Sequence, residues 1–199
     1  MGISAAVVKK LRDKTNAGMM DCKEALQASD GDFDKALDYL RKKGLSAATK
    51  RSSKAAKEGT VASYIHMQGR IGVLVEVNCE TDFVARTENF QAMARDIAMH
   101  IAAANPTYLK PDDVPEAVMD KEKAIYREQA QAEGKPEKIW DRIIEGKLKK
   151  YYEEVCLLNQ KFVKDMDITV ETLVKNMIAT TGENIIVRRF VRFQLGEQE

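Results

Sequence analysis

Three cysteines and two histidines are the side chains in this sequence best suited to covalent or metal chemistry, and their spacing argues against both. Cys22, Cys79 and Cys156 stand far apart with no CxxC pair, which suits reduced thiols better than a disulfide framework. His66 and His100 are too few and too isolated to build a metal site, so neither metal nor cofactor is expected. No nucleophile, base and acid fall together in the pattern, and a chain that is not an enzyme is expected. The rival reading, an enzyme using Cys79 near His66 or His100, has nothing in the sequence to set a base beside the thiol. The chemistry that remains is non-covalent, and it sits in Glu76 to Arg86, EVNCETDFVAR. There the polar run Asn78-Cys79-Glu80-Thr81-Asp82 leads to one large aromatic, Phe83. Either Phe83 folds back into the core, where burying a Phe is worth about 1.5–3 kcal/mol, or a rigid scaffold presents it to a partner as an anchor.

The elements around that stretch can be read from periodicity. Val61 to Met67 and Ile71 to Val77 form a hairpin about the turn Gln68-Gly69-Arg70, with Val73, Val75 and Val77 on one face. Gly72 in the return strand suggests a bulge or a close backbone approach. After the loop, Thr87 caps a helix with Glu88 in its first turn. Its buried stripe is Phe90, Met93, Ala94, Ile97, Ala98 and Ile101, and Asn105-Pro106 ends it.

Upstream lie three short helices. Ser4 caps the first, with Val7, Val8 and Leu11 on one side, ending near Asn16-Ala17-Gly18. Asp21 and Glu24 have capping-box spacing for the second, which leaves Met19 and Met20 in the turn before it. Two adjacent Met there either fill core gaps or make an adaptable binding surface. Asp32 opens the third helix, with Phe33, Ala36, Leu37 and Leu40 inward and Gly44 as its stop. Leu45 to Gly59 turns to Ser, Ala and Lys and reads as a flexible or loosely helical basic tether.

Downstream, Pro115 starts a helix through Val118, Ile125 and Tyr126 towards Gly134. Pro136 opens a second, interrupted by Gly146. The pair reads either as a projecting helical hairpin at about 112–155 or as two helices laid flat on the sheet. Thr169 caps a last helix, stopped by Gly182. Ile185 to Leu195 closes as a strand with Val187, Val191 and Phe193 on one side and Arg188, Phe190 and Arg192 on the other. Those mixed faces suit a sheet edge or a subunit contact. The expected architecture is α+β: a three-helix domain at 1–44, a basic linker at 45–59, and a core domain at 60–199 with a small antiparallel sheet.

In 199 residues, 32 basic against 31 acidic side chains leave a net charge of +1, so no global field points to nucleic acid. The longest uncharged runs fall short of the roughly 20 residues a membrane helix needs. Met1 to Ala6 has neither a signal peptide's apolar run nor a Ser/Thr at position 6 for myristoylation, so a soluble cytoplasmic chain is expected.

Two stretches carry a family resemblance. Leu11 to Leu26, LRDKTNAGMMDCKEAL, resembles the N-terminal signature of elongation factor Ts. Glu76 to Arg86 resembles its second signature, residue for residue at Thr81, Asp82, Phe83 and Val84. The resemblance runs from about Ile3 to Gly196. It implies a ubiquitin-associated-like N-terminal bundle in which Arg12, Met19, Met20 and Lys23 match the positions that grip the GTPase domain of elongation factor Tu. It further implies that the Thr-Asp-Phe-Val loop reaches the nucleotide site, where the ring disturbs magnesium coordination. The expected function is then a translation factor that binds elongation factor Tu·GDP and promotes GDP release, allowing GTP to rebind. The family's long members carry two copies of the strand–helix core, while its short forms pair two chains. This chain has one copy, so a homodimer is expected, with Arg189 and Arg192 as candidate contacts. A plain adaptor that binds its partner without altering nucleotide release is the second rival.

Overall fold

Leu11, Leu26 and Ala36 lose all contact with solvent, and the three helices that carry them pack against one another. The computed structural model describes residues 3–15, 17–51 and 53–197, with the backbone alone for 45–50. Helix α1 (Ala5–Thr15) contributes Val8 and Leu11; α2 (Met19–Ala28) contributes Cys22, Ala25 and Leu26; α3 (Phe33–Arg51) contributes Ala36. Asp32 caps α3 as expected, its Oδ1 accepting from the backbone N–H groups of Asp34 and Lys35, each at 3.1 Å.

Two expectations for this bundle fail. Helix α2 begins at Met19, because the Cys22 N–H already donates to the Gly18 carbonyl at 2.9 Å. Asp21 therefore lies in the first turn, where its charge suits the helix dipole, instead of capping it. Its supposed box partner Glu24 reaches across to α3, accepting from Tyr39 Oη at 2.8 Å and Lys43 Nζ at 2.7 Å. Nor does Gly44 stop α3, which continues to Arg51. A Cβ on Gly44 would fall 2.8 Å from Ala179 Cβ, so this glycine lets a later helix come close.

By contact the chain divides into two units. One comprises Met1–Val61, Glu76–Ala94 and Thr172–Arg188; the other comprises Ala62–Val75, Arg95–Glu171 and Arg189–Glu199. Strands β1 (Glu58–His66), β2 (Ile71–Cys79) and a C-terminal strand, Ile185–Gln194, form a three-stranded sheet with β2 in the middle. It is antiparallel: β1 turns directly into β2, and the Leu195 N–H at the far end of the last strand donates to the Arg70 carbonyl at 2.8 Å. Val73, Val75 and Val77 of β2 are all buried, as their alternation predicts. The close backbone approach expected at Gly72 lies elsewhere. A Cβ there would make only an ordinary contact with Ile65, whereas one on Gly59, with φ of +145°, would run into the Val77 carbonyl.

Between β2 and the next long helix lies a single turn, α4 (Asp82–Ala85). Helix α5 (Glu88–Ala104) follows, its first turn tied to Thr87, whose Oγ1 accepts from the Phe90 N–H at 3.4 Å. Phe90, Met93, Ala94, Ile97, Ala98 and Ile101 are buried along it.

In the second unit, α6 (Glu116–Ala132) and α7 (Trp140–Val155) pack against each other beside the cluster Val114, Met119 and Cys156. Gly146 does not interrupt α7. It sits on the exposed side with open space around it, and the roughly 1 kcal/mol that a mid-helix Gly costs is outweighed by the apolar side. The short strands β3 (Lys161–Phe162) and β4 (Asp165–Thr169) pair antiparallel. Gln160 is buried there with His100, whose Nδ1 accepts from the Val163 N–H at 3.3 Å. Its Nε2 therefore carries the proton and donates to Gln160 Oε1 at 2.9 Å.

Helix α8 (Val170–Thr181) ends at Gly182, φ +72°, whose N–H donates to the Ile178 carbonyl at 2.9 Å. The final strand, β5 (Ile185–Gln194), lies at a sheet edge as expected, but its faces are not those of the alternation. Ile185 and Val187 are buried, Arg188 and Arg189 are both exposed, and beyond them Val191 and Phe193 are exposed while Arg192 turns inward. Two outward residues in succession invert the pattern partway along.

Candidate functional site

The turn α4 and its N-cap hold the four residues Thr81, Asp82, Phe83 and Val84, and it is a helical turn where the sequence suggested a loop. Thr81 has extended backbone and serves as the N-cap, its hydroxyl accepting from the Val84 N–H at 3.4 Å. Asp82 pairs with Arg86 one turn on, at 2.9 Å. From the C-terminal side, Thr87 Oγ1 donates to the Val84 carbonyl at 2.8 Å and Gln91 Nε2 to the Ala85 carbonyl at 2.7 Å. Ala85 is buried under the turn, and Phe83 points away from it with 80% of its surface exposed. The core-plug alternative for Phe83 is therefore excluded by its position.

The turn is anchored to the segment after α8. Glu183 accepts twice from Thr81: from the hydroxyl at 2.6 Å and from the backbone N–H at 3.0 Å. Glu80 returns the contact, its Oε1 accepting from the Asn184 N–H at 2.6 Å. Asn184, 1% exposed, donates through Nδ2 to the Lys54 carbonyl at 2.6 Å. The Asn184 N–H, helped by Lys54 and Arg51, holds the Glu80 carboxyl below its ordinary range. Cys79, fully buried, donates from Sγ to the Thr81 carbonyl at 3.1 Å. Burial, with the Glu183 charge second, pushes its thiol up to about 11, so it is protonated and no nucleophile near neutrality. That removes the ground for a thiol enzyme at Cys79.

Arg12, Met19, Met20 and Lys23 all lie exposed on the N-terminal bundle. By helical spacing Met19 and Met20 each lie one turn before Lys23 on α2, with Met19 at the border of the side that buries Cys22 and Leu26. Met19 is 46% and Met20 74% exposed, so neither fills the core. Asp21 beside them is held by Lys43 at 2.9 Å.

Reading the sequence missed Glu183, Asn184 and Gln91. Only the first two had a signal: polar residues placed straight after a glycine helix stop and before an apolar strand. Among the described residues, no group of three or more His, Cys, Asp or Glu could hold a metal ion, and no helix is long and apolar enough to cross a membrane.

A family model described as "Elongation factor TS" matches residues 5–197. The elongation factor Ts of Syntrophus aciditrophicus (strain SB) is 73% identical over 198 residues, covering 100% of this chain and 98% of its own. Those of Geobacter sulfurreducens and Moorella thermoacetica are each 58% identical, over 99% and 98% of this chain and 91% and 96% of theirs. With the match extending from the first helix to the last strand, this chain belongs to the elongation factor Ts family.

Proposed function

We propose that this chain releases GDP from elongation factor Tu by carrying Phe83 into the nucleotide site, where the ring disturbs magnesium coordination. Guanine-nucleotide exchange on elongation factor Tu comes with family membership; the route through the magnesium site is the finer part of the reading. The observation that supports it most is an aromatic ring 80% exposed on a turn whose backbone is fixed from both sides. Such a ring keeps its apolar surface for a partner, and the backbone that carries it is already held, so less entropy is lost on docking. Arg12, Met19, Met20 and Lys23 provide a second, separate contact with the GTPase domain.

The mechanism needs no covalent step and no cofactor, and the chain acts as an exchange factor, not an enzyme. It prefers the nucleotide-free GTPase, and linkage then requires it to weaken nucleotide by the factor by which nucleotide weakens it. A magnesium ion that must be displaced competes with its displacement, so high free magnesium opposes exchange. Its place of work is the cytoplasm, with the translation machinery.

The test is the GDP off-rate against factor concentration for native and Phe83→Ala proteins at two magnesium levels. Phe83→Ala keeps the fold, binds the nucleotide-free GTPase in part, and loses most of the acceleration at saturation. A variant matching the native curve at saturation would refute the magnesium route. Acceleration by neither protein would favour a plain adaptor.

A second reading, a homodimer, has its own support. In the unit that holds the hairpin-turn end of the sheet, Ile65, Met67, Leu74, Val191, Phe193 and Leu195 are exposed apolar side chains on β1, β2 and β5 and the turns beside them. That much uncovered apolar surface suits a second copy of the chain. Arg192 is a weaker candidate contact than its position in the sequence suggests, because it lies inward, 3.5 Å from Glu197 and 2.6 Å from Gln194.

A further inference from the structure

We propose that Glu183 is a positioning residue for exchange, acting through Thr81 to aim Phe83; this rests on the Phe83 reading above. The side chain of Phe83 is too exposed for packing to fix its rotamer, so the directions open to the ring are those that the backbone of α4 allows. That backbone is set at its N-terminus by one residue. Thr81 Oγ1 accepts from the Val84 N–H and donates its own proton to Glu183 Oε1, while the Thr81 N–H donates to Glu183 Oε2. Two bonds from one carboxylate to two atoms of one residue fix both where the turn starts and how it is rotated.

The contact is reciprocal. Glu80 accepts from the backbone of Asn184, and Glu183 accepts from the backbone of Thr81, so each segment supplies one acidic side chain to the other's main chain. Asn184, buried and bonded to the Lys54 carbonyl, ties the anchoring segment to the rest of its unit. Glu183 need touch nothing on the partner. Its effect is to lower the cost of holding the ring in its docking orientation.

The experiment measures accelerated GDP release as a function of factor concentration for native, Glu183→Gln and Phe83→Ala proteins, alongside amide hydrogen exchange at Thr81 and Val84. In Glu183→Gln the amide nitrogen cannot accept, so one of the two bonds is lost. The expected result is a saturating rate lower by roughly tenfold to a hundredfold, the range of a charge-assisted hydrogen bond. The half-saturating concentration should change by less than about threefold, and exchange at the two amides should quicken. If Phe83→Ala loses the acceleration while Glu183→Gln keeps it, the positioning role is overturned and the Phe83 reading stands. If Phe83→Ala is fully active, the Phe83 reading has failed first, and the positioning role with it. A merely structural role would lower melting temperature and raise the half-saturating concentration with the saturating rate intact, which also overturns the proposal. Should Glu183→Gln fail to fold, Thr81→Val and Thr81→Ser decide. The valine, lacking the hydroxyl, must lose the acceleration and the serine must keep it; equal behaviour of the two overturns the assignment.

Discussion

Asp82 and Arg86 face each other across the one helical turn that carries Phe83, their charged atoms 2.9 Å apart. Both are well exposed, so the pair adds at most about 1 kcal/mol to stability. Arg86→Ala should therefore lower the melting temperature by no more than about 4 °C. Asp82→Ala should slow accelerated GDP release in the same direction as Phe83→Ala, but less. If Arg86→Ala slows release as much as Asp82→Ala, the pair acts through the shape of the turn. If Asp82→Ala alone does, its carboxylate meets the partner directly.

Met19 and Met20 separate binding from folding. With both exposed, Met19→Ala plus Met20→Ala should weaken complex formation by roughly 1–3 kcal/mol in a calorimetric titration. Leu26→Ala, at a fully buried site of the same helix, should instead cost roughly 2–5 kcal/mol of stability. A double methionine variant that melts early and binds normally would reverse the assignment.

His100 makes stability depend on pH. Burial favours the neutral ring and sets its folded pKa below the ordinary 6.5, against a smaller opposing effect from Gln160. The unfolded chain thus takes up the proton first. The His100 contribution is complete above 6.5 and is lost as pH falls through 6.5 towards the folded value. Urea midpoints of the native protein should fall between about pH 7.5 and about pH 5.5, and fall less in His100→Gln. Equal slopes for the two proteins would mean that the ring is not the titrating group.

Phe193, 69% exposed near the end of β5, tests the dimer. Light scattering at micromolar concentration should give about twice the 22.4 kDa chain mass. Phe193→Glu should shift the protein towards that single-chain mass with little change in helix content. A native protein that scatters as one chain at every concentration would end the dimer reading.

Much of the fold could be read from the sequence because it obeys local rules. The alternation of Val73, Val75 and Val77, the stripe from Phe90 to Ile101, and the Thr87 and Asp32 caps are each decided within a few residues. The misreadings involve distant neighbours. Gly44 looks like a helix stop until Ala179 is seen against it, and Gly72 looks like the tight approach until Gly59 meets Val77. Asp21 and Glu24 have capping-box spacing, yet Tyr39 and Lys43 of another helix claim Glu24. At the site, Thr81 to Val84 stood out by type and order. Glu183 did not, because a hydrogen bond to a backbone N–H far along the chain leaves no periodicity to detect.

The anchor of α4 comes from a segment 102 residues later than the turn it holds. A ribosome making this chain therefore completes EVNCETDFVAR long before it makes Glu183 and Asn184. Through that interval the turn has its cap but not its clamp, and closing so long a loop is slow compared with forming a helix. A nascent or truncated chain ending before Gly182 would carry the whole motif without its orientation. On the positioning role proposed for Glu183, competence for exchange would then arrive with Glu183 and Asn184 and not with the motif.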